Sequence, residues 1–322
     1  MIESTPILMA VDLQKSFRVS STLHSNRLLR AVDGVSLQLM TGETLGIAGE
    51  SGCGKSTLAK IAAGIMTPDS GELFYKGELL SKLGKSEWKN FRVNTQMIFQ
   101  DPFSSLNPRM KIGDSISEPL KIAGASLTQQ QIELRRIMDA VGLSANTADR
   151  FPDEFSGGQR QRIVIARALI ASPEIVIADE PVSSLDISIQ AQIINLLMQM
   201  KKDFALSMIF ISHNLMVLRH ICDRIIIMYL GAIVEVGRAE DILNSCKHPY
   251  TEALIAAIPG LQTNNLNSNK QLKGDLPTTN SVTSGCRFHP RCPYTMDKCR
   301  NEIPLLTESK TGHAVACHLS CI

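Results

Sequence analysis

Residues 44–56 have the sequence TLGIAGESGCGKS, in which a short apolar run passes directly into a glycine-rich turn. The turn, Gly49–Ser56, fits the pattern G-x-x-x-x-G-K-[ST]. Leu58, Ile61 and Ala62 follow at helical spacing, so the predicted order is strand, glycine loop, helix. A phosphate chain needs many converging N–H donors, which glycine backbone and a helix N-terminus supply. The segment therefore predicts a loop that binds the phosphates of a nucleotide.

The side chains of this loop are predicted to have distinct roles. Lys55 would supply a cation to the β- and γ-phosphates, and the Ser56 hydroxyl would ligate Mg²⁺. The pattern alone indicates a P-loop nucleotide binder, and a chance glycine-rich turn is the alternative. Cys53 is interpreted as a small residue whose N–H matters, with an oxidation-sensitive thiol of low pKa as the alternative. Further predicted contacts to the nucleotide are Gly49, Ser51, Gly52 and Gly54.

Length and composition exclude several classes of protein. A chain of 322 residues suggests about two domains, or one large domain with an extension. The 44% of hydrophobic residues excludes wholesale disorder, and the net charge of +2 argues against a nucleic-acid client. Met1–Lys15 lacks the pattern of a signal peptide, and no apolar run reaches 18 residues. We expect a cytoplasmic protein whose membrane role, if it has one, comes through a partner.

Alternating strand and helix patterns predict an α/β fold with a mostly parallel sheet. Because no internal repeat is visible, one nucleotide cassette is expected. The predicted strands lie within residues 7–19, 32–40, 44–48, 175–178, 208–211 and 225–228. The predicted helices lie within residues 56–64, 132–141, 159–170 and 190–200, and residues 101–108 are expected to be turn-rich.

Two further motifs indicate phosphate chemistry. The apolar strand before Asp179 and Glu180 would present two carboxylates at its end, the first for Mg²⁺ and the second to deprotonate an attacking water. Phe155–Gln159 has the sequence FSGGQ, in which Ser156 is a plausible N-cap before exposed glycine N–H groups. Solvated acids at a strand end and an ordinary capped helix are the structural alternatives.

These motifs together resemble the ATP-binding cassette (ABC) ATPases. FSGGQ is similar to the family signature LSGGQ, with Phe155 in place of leucine. The resemblance extends to Gln100 as the Q-loop residue, Asp186 in the D-loop and His213 as the switch histidine. It also implies that Gln100 joins Ser56 and Asp179 as a ligand of Mg²⁺. The aromatic residue that stacks on adenine would be Phe17, with a place in the hydrophobic core as the alternative for this residue.

The resemblance implies a P-loop NTPase cassette, with a RecA-like core, a β-subdomain and an α-helical subdomain, followed by a small Cys-rich C-terminal domain. We expect the nucleotide-binding domain over residues 1–260, its helical subdomain at about 101–168, and the extension over 261–322. The composition supports this boundary, since residues 263–284 are rich in Asn, Thr, Ser and Lys.

The sequence is most similar to one branch of that family, the oligopeptide, dipeptide and nickel importers. The residues that carry this likeness are 96–109 (QMIFQDPFSSLNPR), 155–169, 185–192 and 248–254 (HPYTEAL). The resemblance implies an ATPase that powers import of dipeptides or oligopeptides. Import of nickel or another small solute, a soluble non-transport ABC ATPase, and a P-loop kinase or GTPase are the alternatives.

The family mechanism implied by this resemblance needs two cassettes arranged head to tail. Lys55, Ser56 and Thr57 of one subunit and the signature of the other, including Ser156, Gly157, Gly158 and Gln159, would hold each ATP. Glu180 would be the base, with His213 and Gln100 in the catalytic set. The implied partners are a second ATPase, expected to be a sibling chain, two integral membrane permeases and an extracytoplasmic substrate-binding protein. The complex would place this chain at the cytoplasmic face of the inner membrane.

Four cysteines near the C-terminus form the last motif, at Cys286, Cys292, Cys299 and Cys317. Four thiolates suit an iron–sulfur cluster or tetrahedral zinc, although the C-x₂-C spacing of zinc ribbons is absent. The family resemblance implies a 4Fe–4S cluster, with Zn²⁺ or no metal as alternatives. Cys321 is a competing fourth ligand.

Overall fold

The computed structural model describes residues 5–20, 26–258, 284–308 and 312–321, without the side chains of residues 19, 20, 26, 27, 320 and 321. The chain divides into two compact units, each built from several segments. The first, here named the helical unit, comprises Met1–Leu8, Leu39–Glu43 and Tyr75–Ile211. The second, named the phosphate-loop unit, comprises Met9–Gln38, Thr44–Phe74 and Ser212–Ile322.

Strands and helices alternate along most of the described chain. The strands are β1 (Leu8–Ser20), β2 (Asn26–Leu39), β3 (Thr44–Ala48), β4 (Ser70–Tyr75), β5 (Glu78–Leu79), β6 (Thr95–Ile98), β7 (Ile175–Asp179), β8 (Ser207–Ile211), β9 (Arg224–Tyr229), β10 (Ala232–Arg238), β11 (Thr307–Glu308) and β12 (Ala314–Val315). The α-helices are α1 (Lys55–Ala62), α2 (Lys85–Asn94), α3 (Pro102–Ser105), α4 (Ile112–Ala123), α5 (Leu127–Ala140), α6 (Gly157–Leu169), α7 (Ile187–Asp203), α8 (Leu215–Ile221), α9 (Ala239–Ser245), α10 (Pro249–Ala256) and α11 (Asp297–Asn301). Single 3₁₀ turns lie at Leu80–Lys82, Ala145–Thr147, Pro152–Glu154 and His318–Cys321.

In the helical unit, strands β6, β7 and β8 pair in parallel. Every residue of β7 and β8 is buried, as expected for parallel strands that are covered on both faces. Helices α3, α4 and α5 pack against α6, which also contacts β6 and α7. The apolar side chains that α6 buries, such as Ile163 and Leu169, form the centre of this unit.

The phosphate-loop unit contains two sheet regions. Strands β2, β1 and β4 are neighbours in one of them. In the other, β3 pairs in parallel with β9, and β10, β12 and β11 follow as antiparallel neighbours. The predicted strands β3 and β9 thus pair in parallel, whereas the strands that were not predicted, β10 to β12, add an antiparallel part. Strand β10 runs antiparallel to β9 because the two are joined by a two-residue hairpin turn at Leu230 and Gly231, whose φ angles of 44° and 81° are those of a type I′ turn.

The predicted elements agree with the structure where the hydrophobic pattern is strong. Strand 44–48 is β3 to the residue, and helix 159–170 overlaps α6 closely. The predicted helix 132–141 is only the second part of α5. Helix α5 begins after its N-cap, Ser126, whose hydroxyl accepts a hydrogen bond from the Gln129 N–H. The turn-rich segment 101–108 contains the short helix α3, capped by the Asp101 carboxylate.

No helix in the described residues is both long enough and apolar enough to span a bilayer.

Candidate functional site

The loop between β3 and α1 is closed by its own lysine. The Lys55 ammonium donates hydrogen bonds to the carbonyl oxygens of Gly49, at 2.8 Å, and Glu50, at 3.0 Å. Lys55 is the first residue of α1 and is only 4% exposed. The α1 N-cap, Gly54, makes no side-chain hydrogen bond to the first N–H groups of the helix, and such a helix N-terminus favours an anion.

Two glycines of this loop are required by the surrounding backbone. A Cβ on Gly54, whose φ is +108°, would lie 1.9 Å from the Ala31 carbonyl oxygen. A Cβ on Gly49 would lie 2.3 Å from the Met228 carbonyl oxygen. Real Cβ atoms do not approach oxygen so closely, so larger side chains would displace the loop. The spacing of the glycines in the motif therefore has a direct steric cause.

Residues far along the chain brace the same loop. The Gly231 N–H donates to the Cys53 carbonyl oxygen at 2.8 Å. The Glu50 N–H donates to the Tyr250 hydroxyl at 2.9 Å, and Arg291 forms an ion pair with the Glu50 carboxylate. The sequence did not predict Glu50, Tyr250 and Arg291 as residues of this site. No local pattern links them, since Arg291 lies 241 residues after Glu50.

The other predicted residues of the phosphate-loop unit differ in exposure. Ser56 and Thr57, at the start of α1, are half-buried. Phe17 is half-buried in β1, outside the fully buried core, so part of its ring surface is accessible. Ser51, Gly52 and His213 are exposed, and His213 follows β8 within the segment Ser212–Asn214 that precedes α8.

In the helical unit, Glu180 and Gln100 meet at the ends of two neighbouring strands. Glu180 follows β7, and Gln100 lies two residues after β6. The Gln100 side-chain amide donates to the Glu180 carboxylate at 3.2 Å. Glu180 has a φ of 47°, a left-handed conformation that is uncommon for a residue with a Cβ. Its N–H donates to the Ile211 carbonyl oxygen of β8 at 3.1 Å, which holds the strained residue in place.

Asp179 and Asp186 lie on either side of this residue. Asp179 is the last residue of β7 and is 4% exposed, whereas Asp186 is the exposed N-cap of α7. The structure thus brings Gln100, Asp179 and Glu180 to one edge of the β6–β7 pair. Asp186 lies further along, at the start of the next helix.

The FSGGQ segment forms the N-terminus of α6. The Ser156 hydroxyl accepts from the Gln159 N–H at 3.4 Å, and the Ser156 N–H donates to the Gln159 side-chain oxygen at 3.0 Å, which is a capping box. A Cβ on Gly158 would lie 2.7 Å from the Ile189 side chain, whereas a Cβ on Gly157 would make only an ordinary contact with Leu185, at 3.5 Å. Ser156 and Gln159 are exposed, so this helix end presents polar groups to the outside.

Two family models match this chain, one over a range that includes the phosphate loop and one over a range nearer the C-terminus. The model described as "ABC transporter" matches residues 32–183. The model described as "Oligopeptide/dipeptide transporter, C-terminal region" matches residues 234–299. The oligopeptide transport ATP-binding protein OppF of Haemophilus influenzae is 48% identical over 294 residues, which are 90% of this chain and 88% of that protein. The chain belongs to the ABC transporter ATPases.

Other relatives of this ABC ATPase extend the match. The dipeptide transport ATP-binding protein DppF of H. influenzae is 45% identical over 318 residues, covering 98% of this chain and 97% of its own. Among solved structures, the dimeric post-hydrolysis state of the ATP-binding cassette MJ0796, bound to ADP and Pi, superposes with a TM-score of 0.64 at 25% identity. It covers 72% of this chain and 98% of MJ0796. The predicted α/β P-loop cassette is confirmed.

The C-terminal cysteines of the ABC ATPase are partly buried. Cys286, Cys299 and Cys317 are buried and Cys292 is half-buried, while the Cys321 side chain lies outside the described residues. Burial, together with the neighbouring thiols, raises the pKa of Cys286 and of Cys292 to about 11. Within the described residues, no group of three or more His, Cys, Asp or Glu side chains is arranged to hold a metal ion. The thiols lie within electrostatic range of one another but do not form a metal site in this arrangement.

The alternative interpretation of Cys53 as a low-pKa thiol is wrong. Burial raises the pKa of the Cys53 thiol above its usual value, and the Lys55 charge offsets only part of that effect. Cys53 is 2% exposed, and its sulfur lies 3.8 Å from the Lys55 ammonium. The thiol is therefore a packing group under the loop.

Proposed function

We propose that this ABC ATPase powers the import of dipeptides or oligopeptides. The observation that carries the proposal is the set of relatives named for oligopeptide or dipeptide transport, which match nearly the whole chain at 44–48% identity. The match of residues 234–299 to a model of the peptide-transporter C-terminal region supports it outside the nucleotide cassette. The chain would hydrolyse ATP at the cytoplasmic face of the membrane, where it would bind permease subunits.

The proposed nucleotide site assigns one role to each motif. Lys55 and the glycine loop would bind the β- and γ-phosphates, Ser56, Gln100 and Asp179 would hold Mg²⁺, and Phe17 would stack on adenine. Ser51, Thr57 and the N–H groups of α1 would complete the phosphate contacts. The buried ammonium and the helix end, which has no side-chain cap, support this assignment, because both favour an anion at the loop.

Glu180 is the proposed base for the water that attacks the γ-phosphate. Its hydrogen bond to Gln100 and its constrained backbone support the assignment, because a general base must be held in one orientation. His213 is proposed to contact the γ-phosphate. A Glu180→Gln variant of the assembled transporter should retain bound ATP and lose turnover, whereas a Glu174→Gln control should turn over normally. Undiminished turnover in Glu180→Gln would remove Glu180 from this role.

A second ATPase is proposed to complete each site. The opposite subunit's nucleotide would be faced by the exposed capping box of Ser156 and Gln159, by Gly157 and the confined Gly158, and by Asp186. The MJ0796 structure is described as dimeric, which supports pairing of cassettes. We propose a sibling chain as the partner, together with two permeases and an extracytoplasmic binding protein. A purified lone chain should bind ATP and hydrolyse it slowly.

The cargo is tested in the assembled transporter. The complex of this chain with its permeases and partner ATPase is reconstituted in proteoliposomes, and ATP turnover is measured with the binding protein loaded with a dipeptide mixture, an oligopeptide mixture or chelated nickel. Peptide should stimulate turnover and accumulate in the lumen. Stimulation by nickel alone would overturn the peptide assignment and leave the ATPase assignment intact.

The proposed domain organisation assigns residues 1–260 to the nucleotide cassette, with a helical subdomain at about 101–168, and residues 261–322 to a Cys-rich extension.

For the Cys-rich extension we propose a 4Fe–4S cluster held by Cys286, Cys292, Cys299 and Cys317. Its support is the donor type and the mutual electrostatic influence of these thiols, while the described side chains are not arranged as a ligand set. Absorbance near 400 nm with about four irons per chain is expected after anaerobic purification. Colourless protein with one zinc, or with no metal, would overturn the proposal.

A further inference from the structure

A carboxylate lies inside the loop that is proposed to bind phosphate. Glu50 is the second residue of the segment Gly49–Ser56, and its side chain is 18% exposed. Its main-chain carbonyl accepts from Lys55, so the backbone of Glu50 belongs to the wall of the loop. A negative charge at this position would repel the phosphates of a nucleotide unless it is neutralised.

The neutralising charge comes from Arg291 of the cysteine-rich segment. The two terminal nitrogens of its guanidinium donate to the two Glu50 carboxylate oxygens at 2.8 Å and 3.0 Å, a bidentate pair. The Arg291 side chain is 7% exposed, and one terminal nitrogen also donates to the Tyr229 hydroxyl at 3.4 Å. A pair so shielded from water is weakly screened by salt.

Arg291 is held in this position by its own turn. The Arg291 N–H donates to the Phe288 carbonyl oxygen at 3.0 Å. The Phe288 ring packs edge-on against Tyr229 at 5.3 Å and tilted against Tyr250 at 5.5 Å. Tyr250 in turn accepts from the Glu50 N–H. The aromatic cluster and the ion pair thus fix both the backbone and the charge of Glu50.

We propose that Arg291 is a positioning residue of the nucleotide site, which neutralises Glu50 and so sets the affinity of the loop for nucleotide. The inference rests on the proposed binding of ATP at this loop. It gives the C-terminal segment an indirect part in nucleotide binding, through the charge of Glu50. The element that contributes that part is the turn between Cys286 and Cys292.

The experiment measures binding of a fluorescent ADP analogue with Mg²⁺ to the full chain at low ionic strength. Arg291→Ala should weaken binding about tenfold, because it leaves the Glu50 carboxylate unpaired beside the phosphates. Arg291→Lys should weaken binding less, since one ammonium can replace the charge and only one hydrogen bond of the pair. Lys298→Ala, which removes a charge from an exposed pair with Glu302 in the same segment, should bind normally.

The double variant Arg291→Ala/Glu50→Gln separates this role from a merely structural one. Removal of the carboxylate charge should restore affinity to within about twofold of the wild type, although the fold has lost the ion pair. A double variant as weak as Arg291→Ala, or a loss in Lys298→Ala of the same size, would overturn the proposal.

These measurements distinguish a failure of the inference about Arg291 from a failure of the proposed nucleotide site. If the wild type binds nucleotide and Arg291→Ala binds equally well, the inference falls and the ATPase assignment stands. If the wild type itself does not bind nucleotide, the proposed site falls and the inference with it. Thermal melting of each variant shows whether weak binding follows charge or loss of structure.

Discussion

The phosphate loop and the cysteine-rich segment, residues 284–308 and 312–321, keep their shapes by different means. The loop is closed by a contact within its own motif, since Lys55 bonds to carbonyl groups five and six residues earlier, and distant residues such as Tyr250 brace it from outside. The segment has short elements, with five residues in α11 and two each in β11 and β12. Distant side chains hold it, through the ion pairs Arg287 to Asp33 and Arg291 to Glu50 and the His313 contact to Glu235.

This difference has a consequence for what each region tolerates. A locally closed loop should fail mainly through the residues of its own motif. A segment attached by side chains should fail when any of several distant contacts is removed. Substitutions at Lys55, Phe288, His248 and Cys53 test that contrast.

The largest effect is expected at Lys55. Lys55→Ala removes the cation and both carbonyl hydrogen bonds, so ATP turnover of the assembled transporter should fall about 1000-fold, or about 4 kcal/mol. The control is Lys60→Ala, on the same helix and half-buried. Turnover in Lys55→Ala within about tenfold of the control would show that the loop does not depend on its own lysine.

The second effect concerns the attachment of the cysteine-rich segment. Phe288 is 1% exposed and packs against Tyr229 and Tyr250. Phe288→Ala should lower the free energy of unfolding by about 3 kcal/mol through lost burial and a residual cavity. Leu305→Ala, in the same segment but 78% exposed, should change it by less than about 0.5 kcal/mol. Chemical denaturation of both variants provides the measurement, and equal stabilities would mean that the aromatic cluster does not anchor the segment.

The same contrast between local and distant contacts explains which strands and helices could be predicted from the sequence. Two strands, residues 44–48 and 175–178, were predictable because a run of consecutive apolar residues indicates a buried strand. Helix α4 was missed, since Pro119 lies inside it and proline is disfavoured in a helix interior. Strand β10 was missed because Leu230 occupies a turn position that usually takes asparagine or glycine.

The candidate site shows the same division. The motif residues Gly49–Ser56 and Glu180 were identifiable from short patterns, because the chemistry of each pattern is local. The Glu50–Arg291 pair was not, because a contact across 241 residues leaves no periodic signal. The left-handed backbone of Glu180 also has no sequence marker, as the residue is not glycine.

The third effect is a dependence on pH in the phosphate-loop unit. Burial lowers the pKa of His248 to about 4, and its ring nitrogen accepts the Tyr250 N–H. The unfolded chain, with a histidine pKa of about 6.5, binds more protons between pH 6.5 and 4, so stability falls as the pH falls through that window. Between pH 7 and pH 5 this residue should account for a loss of about 2 kcal/mol.

His248→Asn tests that dependence, since asparagine can cap α10 without titrating. Denaturation at pH 7 and pH 5 should show a smaller loss on acidification in the variant than in the wild type. An identical loss in both proteins would mean that other groups cause the acid sensitivity.

The smallest effect is expected at Cys53, which belongs to the motif but works only through its backbone and its volume. Burial raises the pKa of its thiol, so iodoacetamide at pH 7.5 should leave it unmodified in the native chain and label it after denaturation. Cys53→Ala should retain ATP turnover within about twofold, since the N–H and carbonyl groups of the loop remain. Mass spectrometry of the alkylated peptide and a turnover assay measure both. Rapid native labelling would mean that the loop opens often enough to expose its interior, and the locally closed loop would then be no more rigid than the segment that braces it.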